Sequence, residues 1–151
     1  MIKSYSKINL FLKILKKNSK GLHNIQSSVM LLDLHDKIDL KKINKKKDTI
    51  KFIGQFNKKI NNKKNTISKS LSLLRKHKLI DQKNRYNITI NKKIPVFAGL
   101  GGGTSNAVFL IKYFLKNKIS DRLLEIFEKE IGSDFRLFFL NHSFQKNLKK
   151  I

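Results

Sequence analysis

The residues best suited to chemistry lie in the glycine-rich segment 99–107, GLGGGTSNA. Four of the five residues from Gly99 to Gly103 are glycine. Glycine has no Cβ to hold a ligand away from the backbone and tolerates positive φ, so successive N–H groups can converge on one anion. The apolar residues that follow recur at helical spacing, which predicts a helix from near Thr104 whose free N–H groups face the same point. Thr104 and Ser105 add hydroxyl groups, and together these features predict a phosphate-binding loop.

Spacing separates this segment from two common phosphate motifs. A Walker loop has lysine directly before the Ser/Thr, and here Gly103 occupies that place. The dinucleotide pattern G-x-G-x-x-G, counted from Gly99, requires glycine where the chain has Thr104. A tight turn or linker without a ligand is the alternative interpretation. Glycines that abut an amphipathic helix favour phosphate binding over that alternative.

The first half of the chain is rich in strand patterns. Apolar residues alternate with other residues over 8–14, which is typical of a strand with one core face. Further extended segments are predicted over 24–34, 37–43 and, more weakly, 48–54. The polar, lysine- and asparagine-dense segment 56–65 is predicted to be a loop.

Helices then alternate with one more strand. A helix is predicted after Asn65 or Thr66, either of which can cap it, and a strand over 86–90 leads into the glycine segment. Ser120 is the expected cap of a last helix that ends at Gly132. The order of strands, helix, strand, glycine loop, helix and helix predicts an α+β fold rather than a regular βαβ alternation.

Composition bounds the chemistry without naming a partner. The 151 residues fit one domain and carry 34 Lys and Arg against 10 Asp and Glu, a formal net charge of +24. Such a charge attracts nucleic acid, anionic lipid or phosphorylated metabolites, but the lysines are spread along a chain also rich in Asn, Ile and Phe, as AT-rich codon usage produces. The absence of cysteine excludes disulfides, thiolate metal sites and a cysteine nucleophile. No apolar run approaches the roughly 20 residues of a membrane span, and no signal-peptide core is present, so a cytoplasmic protein without a membrane partner is expected.

Four ordered motifs resemble one enzyme family. The segment 95–107, PVFAGLGGGTSNA, resembles the glycine-rich ATP loop of the GHMP kinases. Within that family, 6–12, SKINLFL, and 21–23, GLH, resemble the opening and the G-Y-H element of the diphosphocytidyl-methylerythritol kinases. The segment 131–134, IGSD, resembles the one that carries the family's acidic catalytic residue. Four matches in order are far more specific than the glycine loop alone.

The resemblance implies a fold and a domain organisation. The fold is the amino-terminal lobe of the GHMP kinases, which is similar to a ribosomal-protein domain and has a mixed sheet with helices packed on one face. We predict this ATP-binding lobe over 1–140 and a basic tail over 141–151. Family enzymes are nearly twice as long, so the carboxy-terminal lobe is expected to be absent from this chain.

The resemblance also implies an activity and a set of site residues. The family branch transfers the γ-phosphoryl group of ATP, used with Mg²⁺, to the 2-hydroxyl of a cytidine-diphosphate derivative of methylerythritol, in non-mevalonate isoprenoid synthesis. Asp134 would accept or orient the hydroxyl proton, and Lys7 beside it would neutralise developing charge. Asn9 and His23 would contact the small-molecule substrate. The residues expected at ATP are Asn65, Pro95, Gly99, Leu100, Gly101, Gly102, Gly103, Thr104 and Ser105, and no protein side chain is predicted as a dedicated metal ligand.

Other interpretations stay open at this point. Without the family, Asp134 after Gly132 and Ser133 is best interpreted as a helix cap. Leu22 stands where the family usually has tyrosine and offers no π face to a pyrimidine. The net charge also admits a basic nucleic-acid-binding module, although nucleic acid is not the expected partner, and a retired kinase domain is a further alternative. A separate chain carrying the second lobe is a candidate partner of the kinase.

Overall fold

The computed structural model describes residues 1–17, 23–58, 60–61, 64–116 and 118–145. In these ranges the chain forms five strands, three α-helices and one short 3₁₀ helix over Phe135–Phe139. In chain order, the strands and α-helices are β1 Ile2–Lys17, β2 His23–Ile43, β3 Thr49–Ile53, α1 Thr66–Lys76, β4 Arg85–Asn91, α2 Gly102–Leu115, α3 Asp121–Ile131 and β5 His142–Gln145.

The strands form one mixed sheet in the order β1-β2-β4-β3, with β5 paired to β2 beside that path. The β3–β4 pair is parallel, and the other pairs are antiparallel. The predicted α+β class with a mixed sheet is confirmed. The two extended segments predicted over 24–34 and 37–43 belong to one long strand, β2, so their separation was wrong.

A β-bulge explains why β2 resembles two strands in the sequence. The register with β1 shifts between Tyr5 and Ser6, which pair with His35 and Leu32, so that Asp33 and Leu34 have no direct partner across the ladder. Extra residues in one strand change which side chains face the core without ending the strand. The apolar alternation is therefore interrupted at the bulge although the backbone continues.

Two apolar clusters hold the helices against the sheet. In the first, Leu71 of α1 and Leu110 of α2 pack on sheet residues that include Ile38, Ile88 and Ile90. The second joins α1 and α2 to α3 and the 3₁₀ helix through Leu74, Val108, Ile111, Phe127, Phe135 and Phe138. Helix α2 contributes to both clusters, so its position is fixed from two sides.

The predicted helix ends are largely confirmed. Asn65 caps α1 by accepting a hydrogen bond from the Ser68 backbone N–H at 2.9 Å. Ser120 caps α3 and Gly132 ends it. Helix α2 begins at Gly102, two residues before the expected start near Thr104, and no side chain caps it.

The last described strand lies within the predicted basic tail. β5 pairs with β2 from Ser27 to Met30. The sheet of the predicted lobe therefore extends past residue 140 to include residues 142–145. Residues 146–151 lie outside the described residues. Within the ranges given above, no helix is long and apolar enough to cross a membrane.

Truncation of Leu110 tests the packing that holds α2 on the sheet. Leu110 is fully buried, so Leu110→Ala should lower the free energy of unfolding by about 2–5 kcal/mol through lost burial and a residual cavity. Tyr113→Ala, at a position of the same helix that is 54% exposed, is the control and should change it by about 0.5 kcal/mol or less. Urea denaturation measures both, and equal losses would contradict this packing.

Candidate active site

The glycine segment forms a wall of a cleft of about 550 Å³. The opposite side comes from β3, the loop that follows it and the start of α1, through residues such as Phe52, Ile60 and Thr66. Eight of the nine residues predicted at ATP line this cleft, and they are Asn65, Pro95, Gly99, Leu100, Gly101, Gly102, Gly103 and Thr104.

Positive φ angles shape the loop as the sequence predicts. Gly99 has φ +73° and Gly101 has φ +70°, both in the left-handed region that favours glycine. Gly101 is the N-cap residue of α2 and has no side chain to occupy the first free N–H groups. The first turn, from Gly102 to Thr104, lines the cleft. The positive end of the helix dipole is therefore available to an anion in the cleft.

Backbone and side-chain contacts fix the loop on both sides. The Lys7 backbone N–H donates to the Leu100 carbonyl oxygen at 3.0 Å, which ties β1 to the loop. The Thr66 hydroxyl donates to the Gly103 carbonyl oxygen at 2.7 Å, which ties α1 to it. The glycine loop is thus attached to β1 on one side and to α1 on the other.

Ser105 is the predicted ATP residue that does not line the cleft. Its side chain is fully buried, and its hydroxyl lies 2.7 Å from the Ser4 hydroxyl. The same hydroxyl donates to the Tyr5 carbonyl oxygen at 2.5 Å. The Ser4 hydroxyl also donates to the side-chain carbonyl of Asn106 at 2.8 Å. Ser105 therefore anchors α2 to β1 behind the loop.

Lys7, Asn9 and Asp134 come together at the edge of the cleft. Lys7 Nζ lies 3.4 Å from Asp134 Oδ2 and donates to Asn9 Oδ1 at 2.6 Å. Asn9 Nδ2 donates in turn to the Ser27 hydroxyl at 2.6 Å. The Lys7 side chain is 8% exposed and that of Asp134 is 36% exposed. An accessible carboxylate thus lies beside a buried ammonium group, an arrangement that can accept a proton and stabilise negative charge.

The short 3₁₀ helix that follows Asp134 is anchored in the apolar core. Phe135 and Phe138 are fully buried in the second apolar cluster. Phe139 and Phe109 flank the Lys112 ammonium, each ring centroid 5.0 Å from Nζ. Burial among these groups lowers the pKa of Lys112.

Asn65 and His23 are predicted site residues that lie at the start of secondary-structure elements. Asn65 lines the cleft, while its amide also donates to the Asn61 carbonyl oxygen at 3.0 Å and its side-chain oxygen caps α1. His23 begins β2, but its side chain lies outside the described residues. No group of three or more His, Asp or Glu side chains in the described ranges has a geometry that could hold a metal ion.

Sequence reasoning missed a buried ion pair beside the loop. Lys92 lines the cleft, and its ammonium pairs with the Asp36 carboxylate, the two side chains being 2% and 0% exposed. A signal was present, because Lys92, one residue past β4, continues the buried alternation of Ile88 and Ile90. A chain with so many lysines gives this one position no distinguishing feature in the sequence.

Comparison with known proteins identifies the domain. The protein-family model described as "GHMP kinases N terminal domain" matches residues 65–135. The 4-diphosphocytidyl-2-C-methyl-D-erythritol kinase of Pelagibacter ubique is 46% identical over 136 residues, which are 88% of this chain and 47% of that protein. The chain spans about half the length of the curated relatives it matches.

Solved structures have the same fold. A crystal structure of 4-(cytidine 5'-diphospho)-2C-methyl-D-erythritol kinase superposes with a TM-score of 0.70 at 20% identity, over 96% of this chain and 53% of that one. A crystal structure of mevalonate kinase superposes with a TM-score of 0.66, also at 20% identity, over 96% of this chain and 53% of the mevalonate kinase chain. At these identities the likeness shows the fold.

Two glycine substitutions separate backbone strain from crowding in the loop. A Cβ on Gly101 would lie 2.7 Å from Phe138 Cζ, whereas a Cβ on Gly99 would meet nothing within 4 Å. Both positions have similar positive φ, so the strain that alanine introduces should be alike. We expect Gly101→Ala to lower the free energy of unfolding by about 1–3 kcal/mol more than Gly99→Ala, as overpacking does. Chemical denaturation measures the difference, and equal effects would show that the loop is not packed as described.

Proposed function

Because the chain belongs to the GHMP kinase family, we propose that it is the ATP-binding half of a 4-diphosphocytidyl-2-C-methyl-D-erythritol kinase. The reaction would transfer the γ-phosphoryl group of ATP to the 2-hydroxyl of 4-diphosphocytidyl-2-C-methyl-D-erythritol. The names of the curated relatives support this substrate. The matching residues cover about half of those enzymes, and so the proposal concerns one half of the catalytic unit.

One observation carries the proposal. The Lys7 ammonium lies 3.4 Å from the Asp134 carboxylate, next to a cleft walled by the uncapped start of α2. A triphosphate held at that helix end would have its terminal phosphate near a group that can take a proton. Phosphoryl transfer requires mainly positioning and charge stabilisation, and this geometry supports both.

The residues of the chain would divide the reaction between them. Asp134 would accept the proton of the 2-hydroxyl of the substrate. The oxygen of that hydroxyl would form a bond to the γ-phosphorus while the bond from the γ-phosphorus to the β–γ bridging oxygen breaks. The backbone N–H groups from Gly101 to Thr104 would hold the phosphates, and ADP would leave from them. Lys7 would offset the negative charge that develops at the transferred group. Asn9, fixed between Lys7 and Ser27, would orient Lys7 and contact the substrate.

The cleft is compatible with Mg²⁺ carried by the nucleotide. Among the described residues that line it, Asp134 is the only carboxylate. Mg²⁺ is commonly held by one or two carboxylates together with substrate phosphates and water. Asp134 is therefore the side chain best suited to take part, and the ion would offset phosphate charge when bound.

A separate carboxy-terminal half is proposed to complete the substrate site. The described part of the chain provides Lys7, Asn9 and Asp134 for the acceptor, and the chain spans about half the length of its curated relatives. Activity is therefore expected to be weak or absent in the chain alone. A cytoplasmic location stays a prediction from the sequence.

Binding of ATP to the chain alone tests the nucleotide site. ATP at roughly 100 times its Kd should stabilise the fold by about 2.7 kcal/mol, which thermal denaturation detects as a rise in Tm. A single-stranded RNA oligomer at the same charge concentration should give no comparable rise. RNA binding that strengthens at low salt, together with no response to ATP, would favour the nucleic-acid-binding module instead.

Replacement of Asp134 tests the proton acceptor. In a fusion of this chain to the carboxy-terminal half of a curated relative, Asp134→Asn should lower kcat by about 10²–10⁴-fold and leave the ATP affinity close to that of the unmodified fusion. Asp33→Asn, at a carboxylate that is 91% exposed, is the matched control. A coupled assay of ADP release measures both, and an active Asp134→Asn fusion would contradict the assigned role.

A further inference from the structure

The Lys92–Asp36 pair is the most buried ion pair in the described ranges. Its side chains are 2% and 0% exposed, against 17% and 15% for Arg75 and Asp48, which pair at the other end of α1. Removing two charges from water costs free energy that their attraction only partly offsets, so a buried pair is weak evidence for stability. Its location beside the cleft therefore calls for another explanation.

Asp36 organises the backbone that leads into the glycine loop. Its Oδ1 accepts hydrogen bonds from the backbone N–H groups of Lys93 at 2.7 Å and Ile94 at 2.9 Å. Its Oδ2 accepts from the Lys92 ammonium. One carboxylate from β2 thus fixes three consecutive residues between the end of β4 and the start of the loop.

Lys92 places its charge under the first turn of α2. Its Nζ lies 3.3 Å from the position that a Cβ on Gly102 would occupy. The N-terminus of α2 is itself positive, so an ammonium group at this place is unfavourable in the absence of an anion. Asp36 offsets part of this charge from the side away from the cleft. An anion in the cleft would experience both the helix end and the ammonium.

We propose that Lys92 and Asp36 are positioning residues for the phosphates of ATP, which rests on the proposed nucleotide site. Asp36 holds the Lys92 ammonium against the first turn of α2 and holds the backbone of Lys93 and Ile94 in the conformation from which the loop starts. Lys92 raises the affinity of the cradle for the triphosphate through its buried charge. The pair contributes little to the binding of the uncharged adenosine part, because its effect is electrostatic.

The ratio of ATP affinity to adenosine affinity tests this assignment. The double variant Asp36→Asn/Lys92→Met keeps an oxygen for the two backbone N–H groups and removes both charges, so it should fold with a moderate loss of stability from the unpaired amide N–H at position 36. Its ATP affinity should fall about tenfold, because the ammonium that is lost lines the cleft and the carboxylate lost with it does not, and its adenosine affinity should stay unchanged. NMR titration of the full chain with ATP and with adenosine measures both.

The matched control is Asp48→Asn/Arg75→Met. It removes a different ion pair, which is partly buried and in which Arg75 donates to both Asp48 oxygens at 2.6 and 2.9 Å. Neither of these two residues lines the cleft. This variant should leave both affinities unchanged. The single variant Lys92→Met, which leaves Asp36 buried without its cation, should be less stable than the double variant.

Each other result has a defined meaning. Unchanged ATP affinity in the Asp36→Asn/Lys92→Met variant, or an equal loss for ATP and adenosine, would overturn the proposal while the nucleotide site stands. Loss of folding in that variant would assign the pair a structural role and would overturn the proposal as well. Failure of the unmodified chain to bind ATP would instead overturn the proposed function, and this inference with it.

Discussion

The close approach of Gly101 to Lys7 and Phe138 is the contact on which the geometry of the site depends. A Cβ at this position would lie 2.7 Å from Phe138 Cζ and 3.2 Å from Lys7 Cγ. The residue thus joins the start of α2, the lysine of β1 and the 3₁₀ helix that follows Asp134. Because glycine alone permits both the positive φ and this distance, one position brings the start of α2 close to Lys7 and Asp134, the residues proposed to act on the acceptor.

The two halves of the site differ in how they could be predicted. The cradle is local: its glycines, the following helix and the hydroxyl of Thr104 are consecutive in the sequence, and their physical properties alone predicted an anion site. Lys7 and Asp134 are 127 positions apart, and each has an unremarkable sequence environment. They could be paired only through the family resemblance, because no periodicity relates the first strand to the residues after α3. The structure brings both to the same edge of the cleft, although their catalytic roles stay a prediction.

Two differences between the sequence prediction and the structure have specific physical causes. The bulge at Asp33 and Leu34 divides the apolar pattern of β2, so one strand was predicted as two. Ser105 follows Thr104 in the sequence, but on a helix it points about 100° away, toward β1, and its hydroxyl bonds to Ser4 and Tyr5. On a helix, the sequence neighbour of a residue that lines a cleft is therefore a poor candidate for the same cleft, whereas a residue one turn away is a better one.

The net charge of +24 explains little of the site. The two lysines to which the proposals assign a role, Lys7 and Lys92, are buried, and each has a carboxylate partner at Asp134 or Asp36. Exposed lysines are screened by salt over a distance of about 10 Å, whereas buried charges are screened much less. A buried cation next to a helix N-terminus acts on a phosphate in a fixed direction, and a diffuse surface charge does not. The proposed binding of phosphate thus depends on where two lysines are buried, which the alternation along β1 and through the end of β4 determines and which a count of lysines does not reveal.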